Sequence, residues 1–543
     1  MNKVAHYLQE HLIGEVMTGS DARSYFSTDG SVLTVPPAIV VYPRNENDVR
    51  KASRFTWQLA ERGKVIPVTA RGSGTDQGGA AIGEGLLLVF PAHMNRILEL
   101  DGKSGDIIIE PGSNFGKMQQ TLFTHNRFVP AYPASFEYST IGGAVANNSN
   151  GPKSIKYGQI KDYVNGLRVV LANGEVLQTG RISKREVNKK LGLATFEGEI
   201  YRNLDALIEE NFQLIKSIST VPTSAGYGLA EVKKKDGSFD LTPLFVGGQG
   251  TLGIITEVSL QTEPHNPNST LIEAHIHELD VVADVVKELR TMKEKPSAIE
   301  MVNEHLLDFI HKNNPNQLKG TVQTPYPKIL LLIEFDNPAD RTQKKLAKKV
   351  SKMLKSRHID HKIEMDQSKI ENMWRIRECA ASFIAFADKN IRAVPIIEDG
   401  IVPTEKIGEF IKELYALLSR NNLPQVVWGS VGMGVVQTRP LLDLSQVGDR
   451  QRASKLMDDY YSLVISMGGS TTAGNNDGRL RAPYLPLVYG PAVYSLFEKV
   501  KQIFDPYGTL NPGVKVGVTT EEIKALMRQE FGLNHFYDHL PRS

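Results

Sequence analysis

Residues 71 to 80 read Arg71-Gly72-Ser73-Gly74-Thr75-Asp76-Gln77-Gly78-Gly79-Ala80, a glycine-rich first loop between two short apolar runs, Val65–Val68 and Leu86–Phe90. Both runs are typical of β-strands. The glycines permit positive φ angles and let the backbone approach a ligand closely. A nest of backbone N–H groups beside one arginine is what a buried phosphate or pyrophosphate needs. The same composition also suits a solvent-exposed loop, so the choice between the two depends on the rest of the chain.

Composition and charge narrow the class of protein. The 543 residues are too many for one hydrophobic core, which predicts two or three domains. Hydrophobic residues make up 41% and charged residues 23%, as is usual for a soluble globular protein. The formal net charge of +2 gives no reason to expect nucleic acid or an anionic membrane as a partner. A single cysteine, Cys379, excludes an intramolecular disulfide and a cysteine-based zinc or iron–sulfur site.

The N-terminal residues and the hydropathy pattern bear on location. Residues Met1–Gly19 lack the apolar core of a signal peptide, and no window approaches 18 consecutive apolar residues. The single cysteine fits a reducing compartment. A cytoplasmic protein with at most peripheral membrane contact is therefore expected.

Two further loops rich in small residues follow the first. The second loop, Pro133–Pro152, contains Thr140-Ile141-Gly142-Gly143 and Asn147-Asn148-Ser149-Asn150-Gly151-Pro152. The third loop, Gly248–Gly253, has the glycine spacing of the dinucleotide fingerprint. That fingerprint needs a helix after it, whereas Ile254–Leu260 is β-branched and strand-like. We therefore reject a Rossmann unit, and no P-loop sequence is present either.

Periodicity and turn residues predict an α+β or α/β fold, and the family resemblance described below implies the α+β class. In the first half of the chain, we predict strands at 36–43, 96–100, 105–110 and 254–260, helices at 45–62, 114–125 and within 183–218, and a hairpin of 167–171 with 176–179 around Asn173-Gly174. After Pro264–Pro267 the pattern changes to longer charged helices with interleaved strands. This change predicts a second domain with an antiparallel sheet and helices on one face.

The predicted elements of the second domain define its extent. The helices are placed at 278–293, 338–357, 367–388, 404–421 and 446–467, and the strands at 269–277, 329–335, 391–397, 425–430 and 434–439. The resulting domains are residues 1–266, residues 267–480, a return segment 481–518 that completes the first domain, and a C-terminal tail 519–543 with a polar helix at 519–531.

Taken together, these motifs resemble the vanillyl-alcohol oxidase/PCMH-type FAD-binding superfamily. Within it, the chain is most similar to the group of D-lactate dehydrogenase, glycolate oxidase and D-2-hydroxyglutarate dehydrogenase. The matching stretches are Pro36–Ala52, Arg71–Ala80, Pro133–Pro152 with Tyr157-Gly158 and Asp162–Val164, Gly247–Glu257, Trp374–Glu378 and Phe504–Gly513. The resemblance implies a two-subdomain PCMH-type FAD-binding domain and a cap domain that covers the isoalloxazine ring.

The resemblance also implies which residues hold FAD. The pyrophosphate would be wrapped by Arg71, Gly72, Ser73, Gly74, Thr75, Asp76, Gln77, Gly78 and Gly79. The flavin and ribityl region would be lined by Pro133, Ser135, Thr140, Gly142, Gly143, Asn147, Gly151 and Pro152. The adenosine side would be held by Asp162, Tyr163, Val164, Gly250, Thr251, Gly253 and Ile255, and the far rim by Asn511. Members with covalent FAD carry a histidine in or beside the first loop; Thr75 stands there in this chain, so non-covalent FAD is expected.

The chain departs from the hydroxy-acid dehydrogenases at their metal site. The resemblance implies two histidines in a glycine-rich segment and a Glu-His pair further on, where a divalent ion polarises the substrate hydroxyl and a histidine acts as base. Here Ser430 and Gln437 stand at the two histidine positions, and Gly474 and Asn475 replace the Glu-His pair. These side chains make a poor transition-metal site. Neither His305 with His311 nor His358 with His361 has a spacing that compensates, so no metal is expected.

Candidates for the substrate end come from the same resemblance. Arg377, in Trp374-Arg375-Ile376-Arg377-Glu378, would bind a substrate carboxylate in bidentate fashion, and Arg392 would supply a second cation. Each arginine could instead form a surface or interdomain ion pair. Asn475 occupies the position of the lost base. The candidates for a replacement base are Asp477, Glu398 and Tyr484, each of which could equally be structural.

The resulting interpretation is an FAD-dependent oxidoreductase that transfers a hydride from a small hydroxy acid or alcohol to the flavin without a metal. A separate electron acceptor, such as a quinone, a cytochrome, an electron-transfer protein or O2, would reoxidise the flavin. Two alternatives stay open. The chain could be a non-catalytic FAD-binding protein, or a flavin enzyme of the alkyl-glycerone-phosphate synthase kind.

Overall fold

The computed structural model describes residues 2–218 and 223–532. Its described helices are Asn2–His11, Ser20–Tyr25, Glu46–Ala60, Phe115–Thr124, Ile141–Ala146, Ser154–Tyr157, Lys184–Leu191, Phe196–Glu210, Phe212–Lys216, Thr242–Phe245, Leu279–Arg290, Glu304–Asn313, Asp340–Ser356, Gln367–Glu378, Ala380–Ile384, Ile407–Arg420, Val447–Ser466, Leu485–Phe504 and Thr520–Leu526. No helix in the described ranges is both long and apolar enough to cross a membrane. The strands form three main sheets and three small ones.

The first sheet carries the glycine-rich first loop. Its strands lie in the order Glu15–Met17, Ile39–Tyr42, Leu86–Val89, Val68–Arg71. The last three strands are mutually parallel, and the outer strand Glu15–Met17 pairs antiparallel. The strand Val68–Arg71 was predicted at Val65–Val68. It begins at Val68 instead and ends at Arg71, the first residue of the first loop. The first loop therefore leaves the sheet at the carboxyl end of a parallel strand.

The second sheet carries the third loop. It is antiparallel, with the strand order Ile97–Leu100, Asp106–Ile109, Ile254–Gln261, Val164–Val170, Val176–Gln178. The hairpin predicted around Asn173-Gly174 is confirmed, with Val169 opposite Leu177. The segment after Gly253 is a strand, which confirms that the glycines of the third loop do not open a helix. Helix Leu485–Phe504, which was not predicted, packs into the same core through Val493, Leu496 and Phe497.

The third sheet confirms the predicted antiparallel sheet in the second half of the chain. Its order is Asp360–Glu364, Thr270–Ile276, Ile329–Phe335, Ala298–Asn303, Trp428–Gly429. Helices cover both faces, so the prediction of one covered face was wrong. Ile272 and Ile333 pack with Val285 of helix Leu279–Arg290, whereas Leu271 packs on the opposite side with the helix Glu304–Asn313. The reason is the strand Ile329–Phe335, which is buried at all seven positions.

Several predicted elements of the second half are shorter or broken. The helix predicted over 367–388 is two helices that meet at Cys379, and the region 434–439 forms only isolated bridges instead of a strand. The predicted strands at 391–397 and 425–430 shrink to Ile391–Ala393 and Trp428–Gly429. Strand Ala298–Asn303 was missed because it contains Glu300 and Asn303. The predicted tail helix ends at Leu526, and residues 533–543 of the tail lie outside the described residues.

Three small sheets complete the described strands. They pair Arg181–Ile182 with Phe239–Asp240, Arg127–Phe128 with Glu263–Pro264, and Ile391–Ala393 with both Ala387–Asp388 and Leu441–Leu442. The chain returns to the first sheet near its end, since Leu510 forms a parallel bridge with Val68. The predicted α+β class is confirmed.

Candidate functional site

The three loops meet in one cavity of about 960 Å³. The first loop lines it with Arg71–Gln77, the second with most of Pro133–Lys153, and the third with Gln249, Gly250 and Gly253. Residues of the third sheet and its helices, including Trp374 and Trp428, line the other end. The cavity therefore lies between the two glycine-bearing sheets and the third sheet.

Side-chain hydrogen bonds hold the three loops together. Asn147 of the second loop donates from Nδ2 to Asp76 Oδ1 (3.2 Å), and its Oδ1 accepts from Gln249 Nε2 (2.9 Å). Asn147 is thus bonded to both other loops at once. Asn511 adds a second connection, because its Nδ2 donates to the carbonyls of Ala80 (2.9 Å) and Gln249 (2.8 Å). The relative positions of the loops are fixed by polar side chains that the loops themselves supply or that the returning chain adds.

The first loop presents free backbone donors. Among the described residues, no hydrogen-bond partner exists for the backbone N–H groups of Gly72 to Gln77, while those of Gly78 and Ala80 donate to Asp76 Oδ2. Gly74 has a φ of +74°. Gly72 lies so close to the second loop that a Cβ there would be 2.2 Å from Thr140 Oγ1. The loop combines close approach with unused N–H donors, the arrangement that an anionic ligand group requires.

Buried charges lie beneath this loop. The guanidinium of Arg71 is 1% exposed; its Nη1 donates to the carbonyls of Thr28 (2.8 Å) and Ala81 (3.0 Å), and its Nε and Nη2 have no partner in the described chain. Burial, together with the nearby Asp76 carboxylate, raises the pKa of Asp29 to about 6, against hydrogen bonds from Ser31 and the charge of Arg71. Burial also raises the pKa of Asp76. One cation, Arg71, and two carboxyl groups, Asp29 and Asp76, are therefore buried in or next to the first loop.

Most of the residues predicted to hold the cofactor line this cavity. They are Arg71, Gly72, Ser73, Gly74, Thr75, Asp76, Gln77, Pro133, Ser135, Thr140, Gly142, Gly143, Asn147, Gly151, Gly250, Gly253 and Ile255. Pro152 also lines it. The other predicted residues do not line it: Gly78, Gly79, Asp162, Tyr163, Val164, Thr251 and Asn511.

The residues outside the lining have structural roles that explain their positions. Gly78 accepts hydrogen bonds at its carbonyl from Arg479 and Leu480. Asp162 caps the turn at Gln159 through a 2.8 Å hydrogen bond, and Val164 begins a strand of the second sheet. Asn511 binds the first and third loops through the carbonyls of Ala80 and Gln249. Their direct contact with the cofactor stays a prediction.

At the other end of the cavity, Arg377 lies where the sequence predicted a substrate-binding cation. Its Nε donates to Glu300 Oε2 at 2.7 Å, and Glu300 is fully buried. Nη1 and Nη2 of Arg377 have no hydrogen-bond partner in the described parts of the chain. Arg377 therefore forms an ion pair with Glu300 and still has two guanidinium nitrogens available for a ligand.

Arg392, the predicted second cation, lies outside the cavity lining. Its guanidinium donates to the carbonyls of Lys389 and Ile391 within its own hairpin, and it does not line the cavity. The second cation at this end is Arg439, which the sequence interpretation missed. Arg439 is buried and donates to Glu398 from Nε (2.6 Å) and Nη2 (3.3 Å), and both residues line the cavity.

Of the other four candidate catalytic residues, two line the cavity and two do not. Asp477 is fully buried, accepts from Lys515 Nζ at 2.7 Å, and is absent from the lining. Tyr484 is absent too and donates its hydroxyl proton to Asp458. Asn475 and Glu398 do line the cavity. The roles of Asp477 and Tyr484 as bases stay predictions, although both side chains bond to partners and neither lines the cavity.

Two further lining residues were missed. Glu378 lines the cavity, and its carboxyl group has no hydrogen bond within the described residues. Burial raises the pKa of this carboxyl group, and the charge of Arg375 opposes the rise with a smaller effect. Lys153 also lines it and bonds to Glu334 (2.9 Å) and Asp336 (3.0 Å). Both residues could have been predicted from their neighbours in the sequence, because Glu378 directly follows Arg377 and Lys153 directly follows the second loop.

Three of the four residues at the positions of the family's metal ligands also line the cavity. Gln437, Gly474 and Asn475 line it. A Cβ built on Gly474 would lie 2.4 Å from Asn150 Oδ1 and 2.8 Å from the Asn150 backbone nitrogen. In the described ranges, no group of three His, Cys, Asp or Glu side chains is arranged to hold a metal ion.

Two family models match the chain. The model described as "FAD binding domain" matches residues 37–180, and the model described as "FAD linked oxidases, C-terminal domain" matches residues 266–514. The first covers the first and second loops. The second covers the third sheet, Arg377 and the return to the first sheet at Leu510.

Relatives with assigned names match over most of the chain. D-2-hydroxyglutarate dehydrogenase of Escherichia coli (strain K12) is 29% identical over 538 residues, which cover 94% of this chain and 51% of that protein. Glycolate oxidase subunit GlcD of Bacillus subtilis (strain 168) is 27% identical over 478 residues, 88% of each chain. The chain spans about half the length of the dehydrogenase.

Solved structures show a similar fold. The 4-ethylphenol oxidase from Gulosibacter chungangensis aligns with a TM-score of 0.68 at 16% identity, over 96% of this chain and 98% of the oxidase. p-Cresol methylhydroxylase aligns at 0.67 and 17% identity, over 96% and 97%. Alkyldihydroxyacetonephosphate synthase aligns at 0.61 and 15% identity, over 94% and 84%. At these identities the likeness concerns the fold alone.

Proposed function

The chain belongs to the FAD-linked oxidase family, and we propose that it is a metal-independent, FAD-dependent oxidoreductase that oxidises a small 2-hydroxy acid. The observation that carries the proposal is a single cavity with two chemically distinct ends. One end has the free N–H groups of Gly72 to Gln77. The other end has Arg377 and Arg439, each with at least one guanidinium nitrogen free of protein partners within the described residues.

The loop end fits FAD. A volume of about 960 Å³ is at the upper end of the range for ligand pockets, as a large dinucleotide requires. The free N–H donors of the first loop would bind the pyrophosphate. Asn150 Nδ2 is buried beside the cavity with no partner among the described residues, which leaves it free to donate to the cofactor. Thr75 at the expected attachment position supports non-covalent binding.

The other end fits a carboxylate. Nη1 and Nη2 of Arg377 can donate two parallel hydrogen bonds to a carboxylate, the geometry that guanidinium favours. Glu300 fixes the side chain by holding its Nε. The apolar side chains Trp374, Trp428 and Val435 line the same end and exclude water from the bound substrate.

Proton removal falls to Glu378. Bound FAD would supply the acceptor for a hydride from the carbon that bears the hydroxyl. Glu378 has no hydrogen-bond partner in the described chain and a raised pKa, so it is available to take the hydroxyl proton, whereas Glu398 is engaged on both oxygens by Arg439. Loss of the hydride and this proton converts the hydroxy acid to a keto acid.

The proposal that no metal takes part rests on the residues present. The positions of the lost ligands hold Ser430, Gln437, Gly474 and Asn475. At position 474 a larger side chain has no room, because Asn150 lies within 2.8 Å of an added Cβ. Electrons would leave through a separate acceptor, such as a quinone, a cytochrome, an electron-transfer protein or O2.

Anaerobic flavin reduction tests the proposal. Purified holoprotein is mixed with D- and L-2-hydroxy acids, with and without a chelator, and the flavin absorbance is followed. We expect bleaching by one enantiomer that the chelator leaves unchanged, and bleaching at least about 100-fold slower in Glu378→Gln. Bleaching abolished by the chelator would contradict the metal-free proposal. No bleaching by any hydroxy acid, amino acid or polyol would favour a non-catalytic FAD-binding protein.

A further inference from the structure

The C-terminal segment Thr519–Arg528 is attached to residues 32–34, which lie between strands Glu15–Met17 and Ile39–Tyr42 of the first sheet. Its helix Thr520–Leu526 begins with a capping box between Thr519 and Glu522. After the helix, Met527 forms an antiparallel bridge with Leu33. Two backbone hydrogen bonds flank the bridge, from Thr34 N to Leu526 O (2.9 Å) and from Arg528 N to Val32 O (2.8 Å).

Arg528 anchors this segment. Its side chain is 8% exposed, and its Nη2 donates to the carbonyl oxygens of Ser31 and Asp29. The guanidinium lies 4.9 Å from the ring centroid of Phe531. A buried cation bound by two main-chain carbonyls holds that main chain in one conformation, because releasing it would leave the charge unpaired.

The main chain that Arg528 holds supports the first loop. Gly30, between the two carbonyls, donates its N–H to the carbonyl of Gly74 at 2.9 Å and itself lines the cavity. The Asp29 carboxylate accepts from Ala81 N at 3.3 Å, at the far end of the loop. The first loop is thus bonded at Gly74, and the chain just after it at Ala81, to a segment that Arg528 fixes.

We propose that Arg528 is a positioning residue for FAD: the C-terminal segment holds Asp29–Leu33, which in turn holds the free N–H groups of the first loop in the shape that binds the pyrophosphate. This inference rests on the proposed FAD site. The free N–H groups have no hydrogen bonds of their own to maintain their arrangement, and the bond from Gly30 to Gly74 holds the first half of the loop, whereas Asn147 and Asn511 hold it at Asp76 and Ala80. Loosening the C-terminal segment therefore speeds FAD release without changing any residue that contacts FAD.

The test compares FAD release from full-length variants. FAD dissociation from Arg528→Met, Arg528→Lys and wild-type holoprotein is followed by the rise in flavin fluorescence after a large dilution into buffer without FAD. We expect about tenfold faster release from Arg528→Met, the effect of losing hydrogen bonds from a charged group. Arg528→Lys restores part of the difference, because an ammonium can still donate to Ser31. Lys524→Met, on the same helix but exposed and paired with Glu521, serves as the matched control and keeps the wild-type rate.

A readout apart from FAD release separates positioning from general stability. Hydrogen exchange of residues 72–77 is measured in the FAD-bound forms of wild type and Arg528→Lys, which retains the charge and is the milder variant. We expect faster exchange at 72–77 while the third sheet exchanges as in wild type. Equal FAD release in wild type and Arg528→Met, or faster exchange throughout the protein, would overturn the inference. If the wild-type protein binds no FAD, the proposed function fails first, and that result is distinct from either of these.

Discussion

Arg377 differs from the other cations at its end of the cavity in how its charge is used. Lys153 bonds to two carboxylates, and Arg439 uses two nitrogens on Glu398. Arg377 uses only Nε, on Glu300. A buried anion that takes one nitrogen and leaves the other two free fixes the guanidinium while keeping its bidentate edge for a ligand.

Substitution of Arg377 by lysine tests this role. Lysine keeps the charge but lacks the two parallel donors, so we expect KM for the 2-hydroxy acid to rise about tenfold or more with a smaller effect on kcat. The measurement is steady-state kinetics over a range of substrate concentrations. Arg375→Lys, two residues away and outside the cavity lining, should match wild type. An unchanged KM in Arg377→Lys would remove the assignment.

Asp29 predicts a pH dependence of stability. Its folded pKa of about 6 lies above the ordinary value of about 3.9, so the folded state binds this proton more tightly than the unfolded state. The stabilisation from its protonation is complete below about pH 4 and is lost as pH rises through about 6. The charged groups that influence it are Asp76, Arg71, Arg479 and Arg528.

Asp29→Asn removes this titration. Relative to wild type, the variant should therefore gain on the order of 2 kcal/mol in unfolding free energy between pH 4 and pH 7.5. Urea midpoints at the two pH values measure the difference. The exposed substitution Asp308→Asn provides the control and should show no such trend. A difference between Asp29→Asn and wild type that stays constant with pH would contradict the raised pKa.

At the scale of elements, the strand Ile329–Phe335 organises the second half of the molecule. It is buried at all seven positions and has neighbours on both edges. Its apolar run was sufficient to predict it as a strand, but the neighbouring Ala298–Asn303 was hidden by Glu300 and Asn303. Those two polar side chains are buried because Arg377 pairs with the first and the second caps helix Glu304–Asn313. Only the tertiary partners explain why they are tolerated there.

Truncation of a side chain in this strand should be costly. Ile333→Ala removes a fully buried side chain, so we expect a loss of about 2–5 kcal/mol in unfolding free energy. Ile13→Ala, at a position that is 64% exposed, is the matched control and should cost far less. Urea denaturation of the two variants gives the comparison. Equal losses would mean that the strand is not packed on both faces.

At the scale of the whole molecule, Lys153 connects the second loop to the third sheet. It bonds to Glu334 and Asp336, and Lys156 and Tyr157 also bond to Asp336. Although burial opposes the effect, Lys153 and Lys156 lower the pKa of Asp336. The ion pairs hold the loop that would contact FAD against the sheet that carries the substrate end.

Replacement of Lys153 by methionine should disturb both ends of the cavity. It leaves two buried carboxylates without their main cation, so we expect a loss of about 3–5 kcal/mol in unfolding free energy together with weaker FAD binding. Denaturation and FAD titration measure the two effects. Lys64→Met, at an exposed position, should change neither. A variant with wild-type FAD affinity would show that this connection does not shape the site.

The sequence predicted the parts of the site that depend on local backbone chemistry. Glycine-rich loops, an Asn-Gly turn and the strand after Gly253 are all specified by neighbouring residues. It failed where a residue's role depends on a distant partner. Arg439 was missed because its partner Glu398, 2.6 Å away, is distant in sequence, and no local signal announces the 2.7 Å ion pair of Asp477 with Lys515. The pairing of Met527 with Leu33 likewise joins opposite ends of the chain, and no local signal announces it.

The central claim is that three loops from separate parts of the chain bind one FAD. Hydrogen exchange of the apoprotein before and after FAD is added tests it most directly. We predict that residues 72–77, 142–151 and 249–255 become protected together at one FAD per chain, with Asn147→Ala weakening protection of all three. Protection confined to one loop, or found only elsewhere in the protein, would contradict the claim.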